Sequence, residues 1–137
     1  MEERLKRQIA QLEKAVEGYQ ASLDIHLEQY DEIVQDSIKN GQIQKFEYCI
    51  EFYWKTLKRF LWDMHAIDAK SPKLVIKKCC ELELFTYGQY ETLMLMIELR
   101  NELSHIYHEK RFDEIYQSLL MVKGVWSDLV KVFQKGE

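Results

Sequence analysis

Apolar residues recur along the start of the chain at alternating spacings of four and three: Leu5, Ile9, Leu12, Val16, Tyr19 and Leu23, with His26, Tyr30 and Ile33 continuing the series. This is a helical period with Glu and Lys on the other faces. It predicts one long helix whose seam packs against a neighbour, in the same chain or in a second copy. Asn40-Gly41 reads as a turn. A second helix is expected from about Gln42 to Met64, with Ile43, Phe46, Ile50, Trp54, Leu57, Leu61 and Met64 on one face. Tyr53 and Phe60 widen that face, so it should be buried on two sides. Ser71-Pro72 pairs a capping residue with proline at the first helical position and opens a short helix to about Leu82. Thr86 and Gln89 make a capping box for a fourth helix that passes Arg100 and ends near Tyr107. The run Leu93-Met-Leu-Met-Ile-Glu-Leu99 is apolar at six of seven positions, which predicts burial on nearly all sides. A fifth helix, Phe112 to Phe133, places Ile115, Leu119, Val122, Trp126, Leu129 and Phe133 inward.

No strand pattern, repeat, linker or low-complexity segment interrupts these periods. The expected fold is all-α: an up-and-down bundle of about five helices, close to a four-helix bundle, in one domain over residues 1–137. Its aromatic-rich faces exceed what five helices readily enclose, which points to a homodimer.

Composition narrows the function by exclusion. The balance of 47% hydrophobic and 31% charged residues in 137 is ordinary for a globular chain, and the net charge of −4 argues against wrapping nucleic acid on a general basic surface. One local phosphate site stays compatible with it. Cys49, Cys79 and Cys80 form no even framework and no signal peptide precedes them, so a reduced cytoplasm is expected. The apolar run at 93–99 is too short to span a bilayer, so no membrane role is expected.

Chemistry concentrates at the end of the fourth helix. Arg100, His105 and Tyr107 are costly to desolvate without partners, and residues kept there despite that cost are candidates for chemistry. Arg binds phosphate with a planar fork, His titrates near neutral pH and Tyr offers a hydroxyl. Five residues turn an ideal helix about 140° beyond a full turn, so Arg100 and His105 do not share a face, whereas Arg100 and Tyr107 do. Either the helix loosens near Ser104, or Arg and His from two subunits combine across a two-fold axis; the second arrangement is the one expected.

The run Arg100-x4-His105-x-Tyr107 resembles the signature of the HEPN superfamily, and within it the bacterial nucleotidyltransferase substrate-binding proteins. Gln44-Lys45-Phe46-Glu47 with Phe52-Tyr53-Trp54-Lys55-Thr56-Leu57-Lys58 is similar to that branch's second helix, and Ser71-Pro72 to its third-helix start. The matches occur in order and cover most of the chain. The resemblance implies a dimeric bundle with the Arg–His motifs facing each other across a cleft. It also implies pairing with a small separate nucleotidyltransferase (MNT) in a toxin–antitoxin module. In several such systems the HEPN protein is a metal-independent ribonuclease, silenced when the partner attaches adenylate to the motif tyrosine. Transferred residue by residue, this makes Arg100 and His105 the active pair, Asn101 a polar neighbour and Tyr107 the modification site. Lys45, a binding residue by the same transfer, stands where an arginine is common, and Glu83 stands near where the third helix often ends at glycine.

The chemistry stands apart from the name. Metal-free RNA cleavage needs a base for the 2′-hydroxyl, an acid for the 5′-oxygen, and positive charge on the phosphorane oxygens; imidazoles and guanidiniums supply these. No cofactor is implied. The chain lacks a phosphate loop and the Gly-Ser start and paired aspartates of nucleotidyltransferases, so it is not the transferase. Plainer readings accompany each residue. His105 and His108 have spacing that suits zinc, without a third ligand; His26 reads as a core histidine. Trp54, Trp62 and Trp126 read as core or interface residues, the cysteines as packing, and Lys73, Lys77 and Lys78 as a solvated face. Two functions emerge: an RNA-cleaving HEPN toxin controlled by its partner, and a non-catalytic subunit that binds a nucleotide or substrate for the transferase.

Overall fold

A computed structural model describes residues 1–105 and 108–135. All the regular structure among them is helical. Helix α1 spans Glu3–Leu23, α2 Glu32–His65, α3 Pro72–Glu81, α4 Tyr87–Leu103, α5 Glu109–Met121 and α6 Trp126–Leu129; short 3₁₀ turns lie at Leu27–Gln29, Lys123–Val125 and Val130–Gln134.

The first seam forms as far as the sequence carries it to Leu23, and stops there. Leu5, Ile9, Leu12, Val16 and Tyr19 are buried against α2. His26, Tyr30 and Ile33 are not part of that seam: all three are exposed, Ile33 to 79%. His26 sits beside Glu28 at 3.3 Å in solvent, not in the core. The chain reverses here instead of at Asn40-Gly41. Asp31 caps α2 by accepting from the Val34 amide at 2.9 Å. The buried Gln42 donates to the Ser22 carbonyl at 2.7 Å, a shorter bond than the 3.4 Å one which that carbonyl accepts from Ile25 N–H at the end of α1. Asn40 and Gly41 therefore lie inside a helix of 34 residues. Packing of Gln42, Ile43 and Phe46 carries the helix through a pair of poor formers.

Ser71 and Thr86 cap α3 and α4 as their spacing predicts, and the box is reciprocal: Gln89 N–H donates to Thr86 Oγ1 at 3.1 Å, and Thr86 N–H to Gln89 Oε1 at 3.0 Å. The long C-terminal helix is not continuous. It breaks after Met121 at Val122–Val125, where Gly124 weakens the helix, yet Trp126, Leu129 and Phe133 still reach the core. Tyr19, Tyr53, Phe60, Trp126 and Phe133 meet there edge-on or tilted, with centroids 5.5–6.0 Å apart. One cluster of buried residues draws on α1 to α6. Burial along 93–99 is one-sided: Leu93, Met96, Ile97 and Leu99 are buried, whereas Leu95 is 42% exposed and Glu98 faces solvent.

Candidate functional site

Arg100 occupies the last turn of α4, where its backbone is fixed by the buried Leu99 and Met96. Its side chain is 30% exposed and turns towards α2. Arg100 Nε lies 3.5 Å from Glu51 Oε2, and a terminal guanidinium nitrogen donates to Ser104 Oγ at 3.1 Å. The same Glu51 carboxylate faces Lys55 Nζ from its other oxygen at 3.3 Å, across one turn of α2. One carboxylate thus bridges two cations from two helices. Buried Arg100 was expected to need a second subunit for its charge; Glu51 supplies the partner within the chain. At 3.5 Å the Nε contact is an ion pair without a hydrogen bond, and this nitrogen has no hydrogen-bond partner among the described residues.

Glu47, Tyr48, Glu51, Phe52, Lys55 and Arg100 enclose a groove of about 340 Å³, at the small end of ligand clefts. Tyr48 and Phe52 form its aromatic wall, with ring centroids 5.7 Å apart. The charges are loosely held: both pairs are partly exposed, the Arg100–Glu51 pair by about a third, and longer than 3.2 Å, a class worth about 0–1 kcal/mol each. An incoming phosphate that takes the guanidinium with two short hydrogen bonds can displace Glu51 at little cost.

The other sequence candidates fall around this groove unevenly. The helix ends at Leu103, so the ideal-helix angle between Arg100 and His105 does not apply beyond it. His105 is exposed, not buried, in the turn after α4, and its amide donates to the Glu102 carbonyl at 2.9 Å. Tyr107, expected on the Arg100 stripe, lies outside the described residues. Asn101 is exposed on the last turn of α4. Lys45 does not join the Arg100 groove; it lines a separate depression between α1 and α2 with Lys14, Gly18 and Gln44, sharing only the Tyr48 wall.

The segment carrying His105 is clasped at both ends. Arg111 on α5 grips Glu102 on α4 with two hydrogen bonds, Nε to Oε1 at 2.6 Å and a terminal nitrogen to Oε2 at 2.7 Å. The bond from Arg111 holds the Glu102 carboxyl below its ordinary value. Glu51 and Glu102 were both missed by sequence reading. Glu51–Lys55 at i, i+4 looks like any solvated helix pair, and only the approach of α4 gives it a role. Among the described residues no group of three His, Cys, Asp or Glu side chains is placed to hold a metal. Burial pushes the Cys49 and Cys79 thiols up to about 12, so neither is a nucleophile near neutral pH. No described helix is long and apolar enough to cross a membrane.

Comparison with known proteins gives the family. Two solved structures share the fold at a TM-score of 0.70. One is a protein of Thermus thermophilus, 21% identical over 90% of this chain and 96% of that one. The other is a tri-AMPylated HEPN toxin of Shewanella oneidensis in complex with MNT antitoxin, 18% identical over 98% and 99%. Among curated proteins none matches. The family model described as "Nucleotidyltransferase substrate binding protein like" matches residues 3–123. That match takes in α1 through α5, the Glu51–Arg100 groove and the clasped turn behind it, so the chain belongs to the nucleotidyltransferase substrate-binding protein family, with a HEPN-type helical fold.

Proposed function

We propose that this protein is the HEPN partner of a small nucleotidyltransferase. In this reading it is a cytoplasmic homodimer that cleaves RNA without metal and is silenced by adenylylation of Tyr107. The observation that supports this reading best is the groove in which Arg100, shared between Glu51 and Ser104, stands beside Lys55 and just ahead of the exposed His105. Arg100 and Lys55 carry the charge that a phosphorane needs. One imidazole takes the 2′-hydroxyl proton as O2′ attacks phosphorus; the His105 of a second copy gives a proton to the departing 5′-oxygen. The products are a 2′,3′-cyclic phosphate and a free 5′-hydroxyl. Tyr107 follows His105 by two residues, within about 7 Å along the chain, so an adenylate there competes with RNA phosphate for Arg100. The Shewanella toxin, AMPylated and bound to an MNT antitoxin, supports the partner and the modification.

The test is RNA incubation in EDTA. Arg100→Ala and His105→Ala should each slow cleavage about 10²–10⁴-fold with melting nearly unchanged. Intact-mass analysis after co-expression with the transferase should show whole adenylate additions that vanish in Tyr107→Phe. Light scattering should give twice 16.5 kDa. Intact RNA with unmodified wild-type protein would transfer the groove to the other reading, a non-catalytic subunit that binds a nucleotide or substrate for the transferase.

A further inference from the structure

Beyond Lys55 the groove does not end. Lys55 also lines a second depression of about 320 Å³, between the start of α1 and the C-terminal half of α2, with Arg4, Lys58, Arg59 and Trp62. Four cations face one acid there, Asp68, in a chain whose net charge is −4. Arg59 pairs with Asp63 and Asp68 with Lys70; Arg4 and Lys58 have no ion pair among the described residues. Trp62 is 57% exposed, contrary to a core role, and forms part of the same wall. Tyr48, Phe52, Lys55, Arg59 and Trp62 recur at spacings of four and three, so one stripe of α2 about 21 Å long carries two aromatic rings, two cations and then the Trp62 indole.

We propose that this second depression is a subsite for single-stranded RNA, where a base stacks on Trp62 while Arg4 and Lys58 hold the flanking phosphates, and that Lys55 joins it to the Arg100 groove. The inference rests on the RNA-cleaving reading for its substrate class and adds where the strand leaves the reacting phosphate. The indole face accepts any base, and unpaired cations beside it suit a backbone that carries one charge per nucleotide. A strand laid along α2 would be held without sequence preference.

Anisotropy of a labelled 2′-O-methyl oligouridine, which has no 2′-hydroxyl to attack, measures binding apart from cleavage. Trp62→Ala should weaken it about ten-fold or more, and RNA should quench tryptophan emission in wild type but not in Trp62→Phe. Lys58→Gln should weaken binding and flatten the logarithmic salt dependence by about 0.7. Lys131→Gln makes the same charge change on an exposed C-terminal lysine and should alter neither. Unchanged affinity in Trp62→Ala, or an equal loss in Lys131→Gln, would overturn the subsite. So would a Trp62→Ala protein that drops to a monomer while binding RNA normally, since the groove would then be a subunit contact. Trp62-dependent binding with no cleavage of ordinary RNA refutes the nuclease and leaves the subsite standing; cleavage with Trp62-independent binding does the reverse.

Discussion

The aromatic centre around Trp126 and the groove around Arg100 lie on opposite terms with solvent. In and beside the centre the polar groups of Tyr53, Tyr116 and Gln42 have short, unambiguous partners. Tyr53 Oη donates to the Leu129 carbonyl at 2.7 Å, Tyr116 Oη to Gln42 Oε1 at 2.5 Å, and Gln42 passes the chain on to Ser22. Burial pushes the Tyr53 phenol well above its ordinary pKa, which keeps it a neutral donor. In the groove one carboxylate serves two cations at 3.3 and 3.5 Å, all three side chains are partly exposed, and Arg100 Nε is left without a hydrogen bond among the described residues. The first arrangement stabilises one conformation; the second leaves charges that a better partner can take over. Stability and proposed chemistry therefore sit on different residues, even though α2 contributes to both.

Four substitutions test that separation. Trp126→Ala removes the ring that Tyr19 and Tyr53 meet edge-on, and should cost about 3–5 kcal/mol in urea unfolding. Tyr53→Phe keeps the ring but leaves the Leu129 carbonyl buried without its donor; a loss of about 1–3 kcal/mol is expected. Glu51→Gln, in the groove, should change stability by less than about 1 kcal/mol. A cost equal to that of Tyr53→Phe would mean that the groove is structural after all. The smallest effect belongs to Arg111→Ala. The folded carboxyl of Glu102 lies below its ordinary 4.5, so its contribution is present above that pH and is lost as pH falls through the folded value. Melting curves from about pH 6 to about pH 3 should accordingly fall less steeply in the mutant than in wild type.

Local signals were legible where local physics decides. Ser71-Pro72 and Thr86–Gln89 start helices because the caps satisfy amides within three residues, whatever packs above them. Asn40-Gly41 misled because turn propensity is worth about 1 kcal/mol per residue, less than burying Gln42, Ile43 and Phe46 on either side of α1's end. The true reversal had a signal in Asp31-Glu32, a cap with an acidic first turn, but no glycine or proline to draw attention to it. Glu83 is the reverse case. Its backbone is left-handed, with φ of 61°, a conformation that glycine adopts most readily, and the family resemblance implied a glycine near this position. In the site, Arg100 was legible from its type and place; Glu51 was not, because its role arises only when α4 approaches α2 and brings together residues far apart in the chain.

The Glu102–Arg111 clasp turns a short stretch of sequence into a closed ring. Both anchors are in turn held by helices whose buried faces, Leu99 on α4 and Ile115 on α5, belong to the core. Any macromolecule that reads His105 together with the Glu102–Arg111 pair flanking it therefore reads a conformational epitope. A linear peptide of the same residues would present it poorly, and so would a nascent or unfolded chain. Recognition of this segment is coupled in that way to completion of the fold.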